Sequence, residues 1–178
     1  MIRAVLDADV LYPLPLRDTL LSAAQEGCFQ PVWSAEILDE AIRNLLADNR
    51  IDSVGATTLR QAIDEHFEDA LTHVPRRLIA RMMNDPKDRH VAACAVAGGA
   101  SLIVTSNVRD FAVLPEGIAA VTPDDFLLRF LALSPDLLNR ALEAQSARLK
   151  RNPMDVPAIL ELLRPVAPKF VAAWSARA

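Results

Sequence analysis

The spacing of the strand-forming runs constrains this chain more than any other feature. Four short β-rich runs occur: Ile2-Arg3-Ala4-Val5-Leu6, Pro31-Val32-Trp33, Leu102-Ile103-Val104-Thr105 and Gly117-Ile118-Ala119-Ala120-Val121. Long stretches of helical pattern alternate with them, which implies parallel pairing through crossovers rather than hairpins. Helices are predicted at about 16–26, closed by Gly27, and over Ala35 to about Ala47, with Ser34 as N-cap and Ile37, Leu38, Ala41, Ile42 and Leu45 at helical spacing. Less sharply bounded helices are predicted at 56–71 and 76–83, and another from near Asp88 to Gly98, where glycine suits the left-handed position after a helix. The fold class expected is α/β, a three-layer sandwich around a short central parallel sheet.

After Pro123 the pattern changes to helices alone: Asp124 to Leu133, Pro135 to Leu149, Val156 to Leu163 and Pro168 to Ala176, punctuated by prolines. The expected organisation is a first domain over 1–125 and a helical C-terminal extension over 126–178 packed on it. Apolar residues make up 52% of the 178, and charged residues 24%, which excludes a disordered tail and a charged coiled coil. The net charge of −4 gives no global attraction for a polyanion, so any such partner needs a local basic patch or a bound cation. Cys28 and Cys94 lack CxxC spacing and read as buried small residues in a reducing compartment. Arg3, Asp7 and Asp9 interrupt the first apolar stretch, and Gly98-Gly99 breaks the uncharged run from Val91 to Val108. The sequence thus predicts a soluble cytoplasmic protein with no membrane partner.

The carboxylates carry the chemistry. Asp7 and Asp9 lie just past the first strand, and Glu36 and Glu40 share a face of the helix after the second. Asp85 and Asp88 open the helix that ends in the double glycine, and Asp110 follows the third strand through Thr105, Ser106 and Asn107. In an open parallel sheet, ligands collect outside the carboxyl ends of the strands. Two carboxylates about 5 Å apart repel by ~3 kcal/mol at an effective dielectric near 20, so several together take up protons or hold a cation. All-oxygen donors suit Mg²⁺ or Mn²⁺.

Four blocks carry a resemblance: Val5-Leu6-Asp7-Ala8-Asp9-Val10-Leu11, Ser34-Ala35-Glu36-Ile37-Leu38-Asp39-Glu40, Asp85-Pro86-Lys87-Asp88-Arg89-His90-Val91-Ala92-Ala93 and Val104-Thr105-Ser106-Asn107-Val108-Arg109-Asp110-Phe111. In order and spacing they resemble the acidic blocks of PIN-domain ribonucleases, and most closely the VapC-like toxins of type II toxin–antitoxin pairs. The likeness covers about residues 1–125, and Thr122-Pro123-Asp124-Asp125-Phe126-Leu127-Leu128 with the helical tail resembles a subgroup with a C-terminal extension. The resemblance implies a PIN-like sandwich and an endoribonuclease dependent on Mg²⁺ or Mn²⁺. It further implies an RNA substrate, a cognate antitoxin and a homodimer. It puts the metal ligands on Asp7, Glu40 and Asp88, with Asn107 in the slot where an Asp is commoner. Asp110 is then the nearest carboxylate of the fourth block, and catalytic with the first three. Asp9, Asp85, Thr105, Ser106 and Glu36 stand behind them or face substrate.

Each residue also has a plain structural reading. Asp7 suits a helix or turn cap, Asp85 a turn, Asp88 an N-cap, and Glu36 the positive end of a helix. His90 reads as a packing histidine, and His66 and His73 share no ligand spacing with it. Arg17, Arg43, Arg89 and Arg109 lie near the acidic blocks, and Arg148-Leu149-Lys150-Arg151 forms a short basic run suited to phosphates or to a solvated helix end. Two rival functions compete. Asp7-Ala8-Asp9-Val10 resembles the nucleophile motif of haloacid-dehalogenase phosphatases, but no lysine lies between Ser106 and Asp124 to neutralise an aspartyl-phosphate. A non-catalytic RNA- or protein-binding module on the same fold is the other, and Asn107 is its best argument.

Overall fold

The computed structural model describes residues 1–150 and 152–177. Its four strands, β1 (Arg3–Leu6), β2 (Gln30–Val32), β3 (Leu102–Val104) and β4 (Ala119–Val121), form one parallel sheet in the order β2-β1-β3-β4. The register pairs Val5 with Val32 on one side and with Ile103 on the other. The chain leaves β1 for β2 through α1 (Ala8–Leu11) and α2 (Leu14–Gln25). It returns past β1 to β3 through α3 (Ala35–Ala47), α4 (Ser53–His66), α5 (Arg76–Ile79) and α6 (Arg89–Gly98). Crossovers between parallel strands are right-handed almost without exception, so connections running in opposite directions along the sheet cover its two faces, in keeping with the expected three layers. The strand order therefore reverses between β1 and β3, and the crevice at their carboxyl ends is the place where such a sheet receives ligands.

Local sequence explains the elements well. Ser34 accepts from the Ile37 N–H at 3.3 Å and starts α3 where predicted. Asp52 caps α4 in the same way, three residues earlier than the periodicity suggested, and the helix stops at His66 instead of 71. The four-residue α1 has no counterpart in the sequence reading, and α5 is shorter than the 76–83 expected. The double glycine is used differently from the expectation. Gly99, not Gly98, takes the left-handed conformation at φ 61°. Gly98 is the last helical residue, and a Cβ there would meet the Val32 Cγ1 at 2.5 Å, so α6 needs this glycine to approach β2.

The C-terminal helices α7 (Pro123–Leu133), α8 (Pro135–Arg148), α9 (Val156–Leu163) and α10 (Pro168–Ser175) fall within a residue of the predicted bounds. They share one continuous apolar cluster with the sheet. Phe29, just before β2, meets Phe126 of α7 edge-on at 4.8 Å, and Phe126 meets Phe130 at 4.9 Å. α8 lies along α2, where Thr19 donates to the Gln145 side-chain oxygen at 2.8 Å and the Gln145 amide reaches the Pro15 carbonyl at 3.4 Å. Asp124 of α7 is buried and caps α10, accepting from the Phe170 N–H at 2.8 Å and the Lys169 N–H at 3.2 Å. Among the described residues no helix is long and apolar enough to cross a membrane. Both cysteines are free and buried, with burial pushing the Cys28 thiol up to about 11 and that of Cys94 to about 12.

Candidate metal centre

Asp7 is the residue at which β1 ends and α1 begins. Its N–H donates to the Val104 carbonyl at 3.1 Å, extending the β1–β3 ladder, and its carboxylate caps α1 through the Ala8 N–H at 2.7 Å. The capping reading is thus correct but incomplete, because the carboxylate is only 7% exposed and receives no cationic partner among the described residues. Burial, then the charge of Asp9 and lastly that of Glu40 push its pKa up to about 6, against the opposing bonds from Thr105 and Ala8.

Asp9 spans the crevice. Its Oδ2 accepts from the Ser106 N–H at 2.9 Å, the Thr105 hydroxyl at 3.3 Å and the Asn107 amide at 3.4 Å, tying the first acidic block to the loop after β3. Its Oδ1 is buried with no hydrogen-bond partner. Burial raises the Asp9 pKa, with Asp88 adding to it and the Ser106 and Thr105 donors opposing. The Asn107 backbone N–H in turn donates to the Thr105 hydroxyl at 3.1 Å.

The third block supplies Asp88. It sits in the N-cap position of α6, yet its side chain makes no capping bond, so the carboxylate is left for other work. Burial and then Asp7 raise its pKa to about 6, with Asp110 and Asp85 adding and Lys87 opposing. Asp85 behaves as a turn residue: it is exposed and accepts from the Lys87 N–H at 3.1 Å, and its own N–H donates to the Asp110 carbonyl at 3.0 Å. Asp110 pairs with Lys87 at 2.9 Å, and the same ammonium lies 3.9 Å from Asp88.

Glu40, on α3, faces the His90 Nε2 at 3.3 Å, while the His90 Nδ1 contacts the Lys87 carbonyl at 3.0 Å. His90 is buried as a packing residue should be, but it also links the second acidic block to the third. Glu36 is exposed in the first turn of α3 and makes no ion pair or side-chain hydrogen bond with another described residue. Two arginines named from the sequence point elsewhere. Arg17 is buried against the Leu11 carbonyl at 3.0 Å, and Arg148 bonds the Ser22 hydroxyl inside the α2–α8 contact. Arg151, the end of the basic run, lies outside the described residues.

Asp7, Asp9, Glu40, Asp88 and Asp110 therefore form one connected set of mutually repelling charges around the β1–β3 crevice. Among the described residues no three His, Cys, Asp or Glu side chains converge closely enough to hold a metal ion by themselves. Mg²⁺ does not need such a cage, because it takes one or two carboxylates and keeps several waters. The donor set fits that ion: oxygen ligands only, two carboxylates with pKa values near 6, and a buried Asp9 oxygen with nothing to satisfy it. The roles of Lys87 and His90 escaped sequence reasoning, and the available signal was their position on either side of Asp88-Arg89.

The acidic residues thus stand at the reversal point of a parallel sheet of order β2-β1-β3-β4. The model of the PIN domain matches residues 3–109, more than half of the chain, and the chain belongs to the PIN-domain family. Residues 123–175 match the VapC50 C-terminal domain. A curated protein named "Putative ribonuclease VapC50", from Mycobacterium tuberculosis, is 38% identical over 98 residues. That match covers 53% of this chain and 58% of the relative, so the chain spans just over half the length of that protein.

Proposed function

We propose that this chain is a divalent-metal-dependent endoribonuclease and the toxin of a toxin–antitoxin pair. The observation that carries the reading is the meeting of proton-hungry carboxylates from separate segments, buried Asp7 and half-buried Asp88, at the reversal point of the sheet. Asp7, Glu40, Asp88 and Asn107 are the residues proposed to hold the ion, one or two of the carboxylates directly and the others through its waters. Mg²⁺ or Mn²⁺, when bound, supplies Lewis-acid activation of water and neutralises charge on the phosphodiester. Asp7 presents a carboxylate fixed by its cap bond to Ala8. Asp9 holds the Thr105–Asn107 loop against the crevice and so keeps Asn107 in place. Lys87 keeps Asp110 beside Asp88, and His90 keeps Glu40 facing the same turn.

The name of the relative and the match to its C-terminal domain support the ribonuclease reading. An RNA substrate, a cognate antitoxin, a homodimer and a cytoplasmic site of action belong to the same proposal, as does the division into a nuclease domain over 1–125 and a helical extension over 126–178. The test is cleavage of single-stranded RNA with Mg²⁺ or Mn²⁺ by wild type, Asp7→Asn and Asp88→Asn. Activity that both variants retain would end the proposal.

A second reading is favoured by one contact. The Lys87 ammonium already lies 2.9 Å from Asp110, as an internal cation would in a non-catalytic binding module. Calorimetric titration of Mn²⁺ separates the two, because a module whose acids are neutralised by Lys87 takes up no metal.

A further inference from the structure

Residues 70–84 hold Arg76, Arg77, Arg81 and His73 and no carboxylate, in a chain whose net charge is −4. All three arginines are exposed, and none makes an ion pair or side-chain hydrogen bond with another described residue. Arg60, Lys87, Arg140, Arg164 and Lys169, by contrast, each lie 3.0 Å or less from a carboxylate, and other exposed arginines that pair with no described residue, such as Arg43, Arg50 and Arg109, stand singly among acidic residues. Unpaired guanidinium groups in an otherwise acidic protein create a local positive field, and their planar fork matches phosphate oxygens.

Their place in the fold gives that field a direction. Leu78 and Ile79 pack α5 against the core, and α5 rests on α6, which starts directly after Asp88. From Arg81 the chain reaches Asp85 in four residues, at most about 14 Å even fully extended. Asp85 is in turn bonded through its N–H to the Asp110 carbonyl at the crevice.

We infer that Arg76, Arg77 and Arg81 form a phosphate track that leads a single-stranded RNA to the Asp7–Asp88 crevice, an inference that rests on the ribonuclease reading. The track resolves the charge mismatch between an acidic protein and a polyanion locally, within a few residues of the acidic turn. On α5 itself the two large apolar side chains are packed against the core, so its outer face is left to the arginines, and the exposed Leu71 and Met83 lie outside that helix.

The test is fluorescence anisotropy of the full chain with an end-labelled single-stranded RNA of mixed sequence, in EDTA so that nothing is cut, over a salt series. Each phosphate contact on a single strand contributes about 0.7 to the slope of log affinity against log salt. The triple variant Arg76→Gln, Arg77→Gln, Arg81→Gln is expected to lower that slope by about 2 and the affinity at least about tenfold. Arg77→Gln alone is expected to lower the slope by about 0.7, which keeps the test alive if the triple variant folds poorly. A charge-matched control, Arg129→Gln, Arg140→Gln, Arg164→Gln, should keep both close to wild type. An unchanged slope in the triple variant, or an equal loss in the control, overturns the track. Wild type that binds RNA yet does not cleave it with Mg²⁺ or Mn²⁺ would instead defeat the ribonuclease reading and leave the track standing.

Discussion

The crevice at the β1–β3 edge and the C-terminal helices, with their contact to α2, both bury polar groups, and they treat them in opposite ways. Thr19 and Gln145 meet across the α2–α8 contact, the hydroxyl donating to the amide oxygen, and within the C-terminal helices the Asp124 carboxylate takes two backbone N–H groups at the start of α10. In the crevice, Asp7 and Asp88 lean on one another's charge, and one Asp9 oxygen has no partner. Buried polar groups with partners specify how elements dock, whereas unsatisfied ones store unfavourable energy that a ligand can release. On the proposed function, the contrast separates the part of the molecule that holds the helices together from the part that takes the ion.

The largest effect that can break this comparison is on catalysis. Asp7→Asn and Asp88→Asn should each reduce RNA cleavage by at least about a hundredfold, measured as initial rates on a labelled oligonucleotide, if each carboxylate holds the ion. A crevice that merely stabilises the fold would show no such loss.

Stability should move the other way. Between the usual Asp pKa and a folded value of about 6, the native state binds more protons than the unfolded chain. The contribution of Asp7 is therefore fully present below the unfolded pKa and is lost as pH rises through about 6. For Asp7 this amounts to about 3 kcal/mol less stability at neutral pH in metal-free buffer. Denaturant melts in EDTA should show a decline across that window, and Asp7→Asn should flatten it and raise stability at pH 7.5.

The C-terminal helices predict the opposite sign. Asp124→Ala strips the cap from α10 and should cost about 2 kcal/mol, or a Tm lower by about 4–8 °C. The smallest effect is at Thr19. Thr19→Val leaves the Gln145 oxygen without its donor and should cost about 1 kcal/mol by chemical denaturation. A carboxylate-to-amide change that destabilised the crevice as Asp124→Ala does the C-terminal helices would erase the distinction between the two regions.

Much of this was legible in the residues themselves. α3 and α9 appear with the predicted bounds because Ser34 and Asp155 mark their starts by side-chain capping, a signal local to a few residues. The four strands appear where β-rich runs stand between helical ones, but their order, β2-β1-β3-β4, is set by tertiary packing and had no signal in the runs themselves. α1 was not legible, since four residues are too few for a helical period to show. The left-handed position fell on Gly99 and not Gly98 because the approach of α6 to Val32 decides it, and that contact spans more than sixty residues of sequence. Asp7 and Asp88 were readable as a set from their four-block order. The Lys87–Asp110 pair and the His90–Glu40 contact depend on how the turn before α6 meets β3 and α3, which no local pattern encodes.

Titration calorimetry of Mn²⁺ into wild type and Asp7→Asn, at pH 7.5 and again at pH 5.5, addresses the central claim most directly. Protons and the ion compete for carboxylates with pKa values near 6, so wild type should bind at pH 7.5, bind markedly more weakly at pH 5.5, and release protons as it does so. Asp7→Asn should lose most of that affinity. Absence of binding by wild type, or equal binding by the variant at both pH values, would contradict the account.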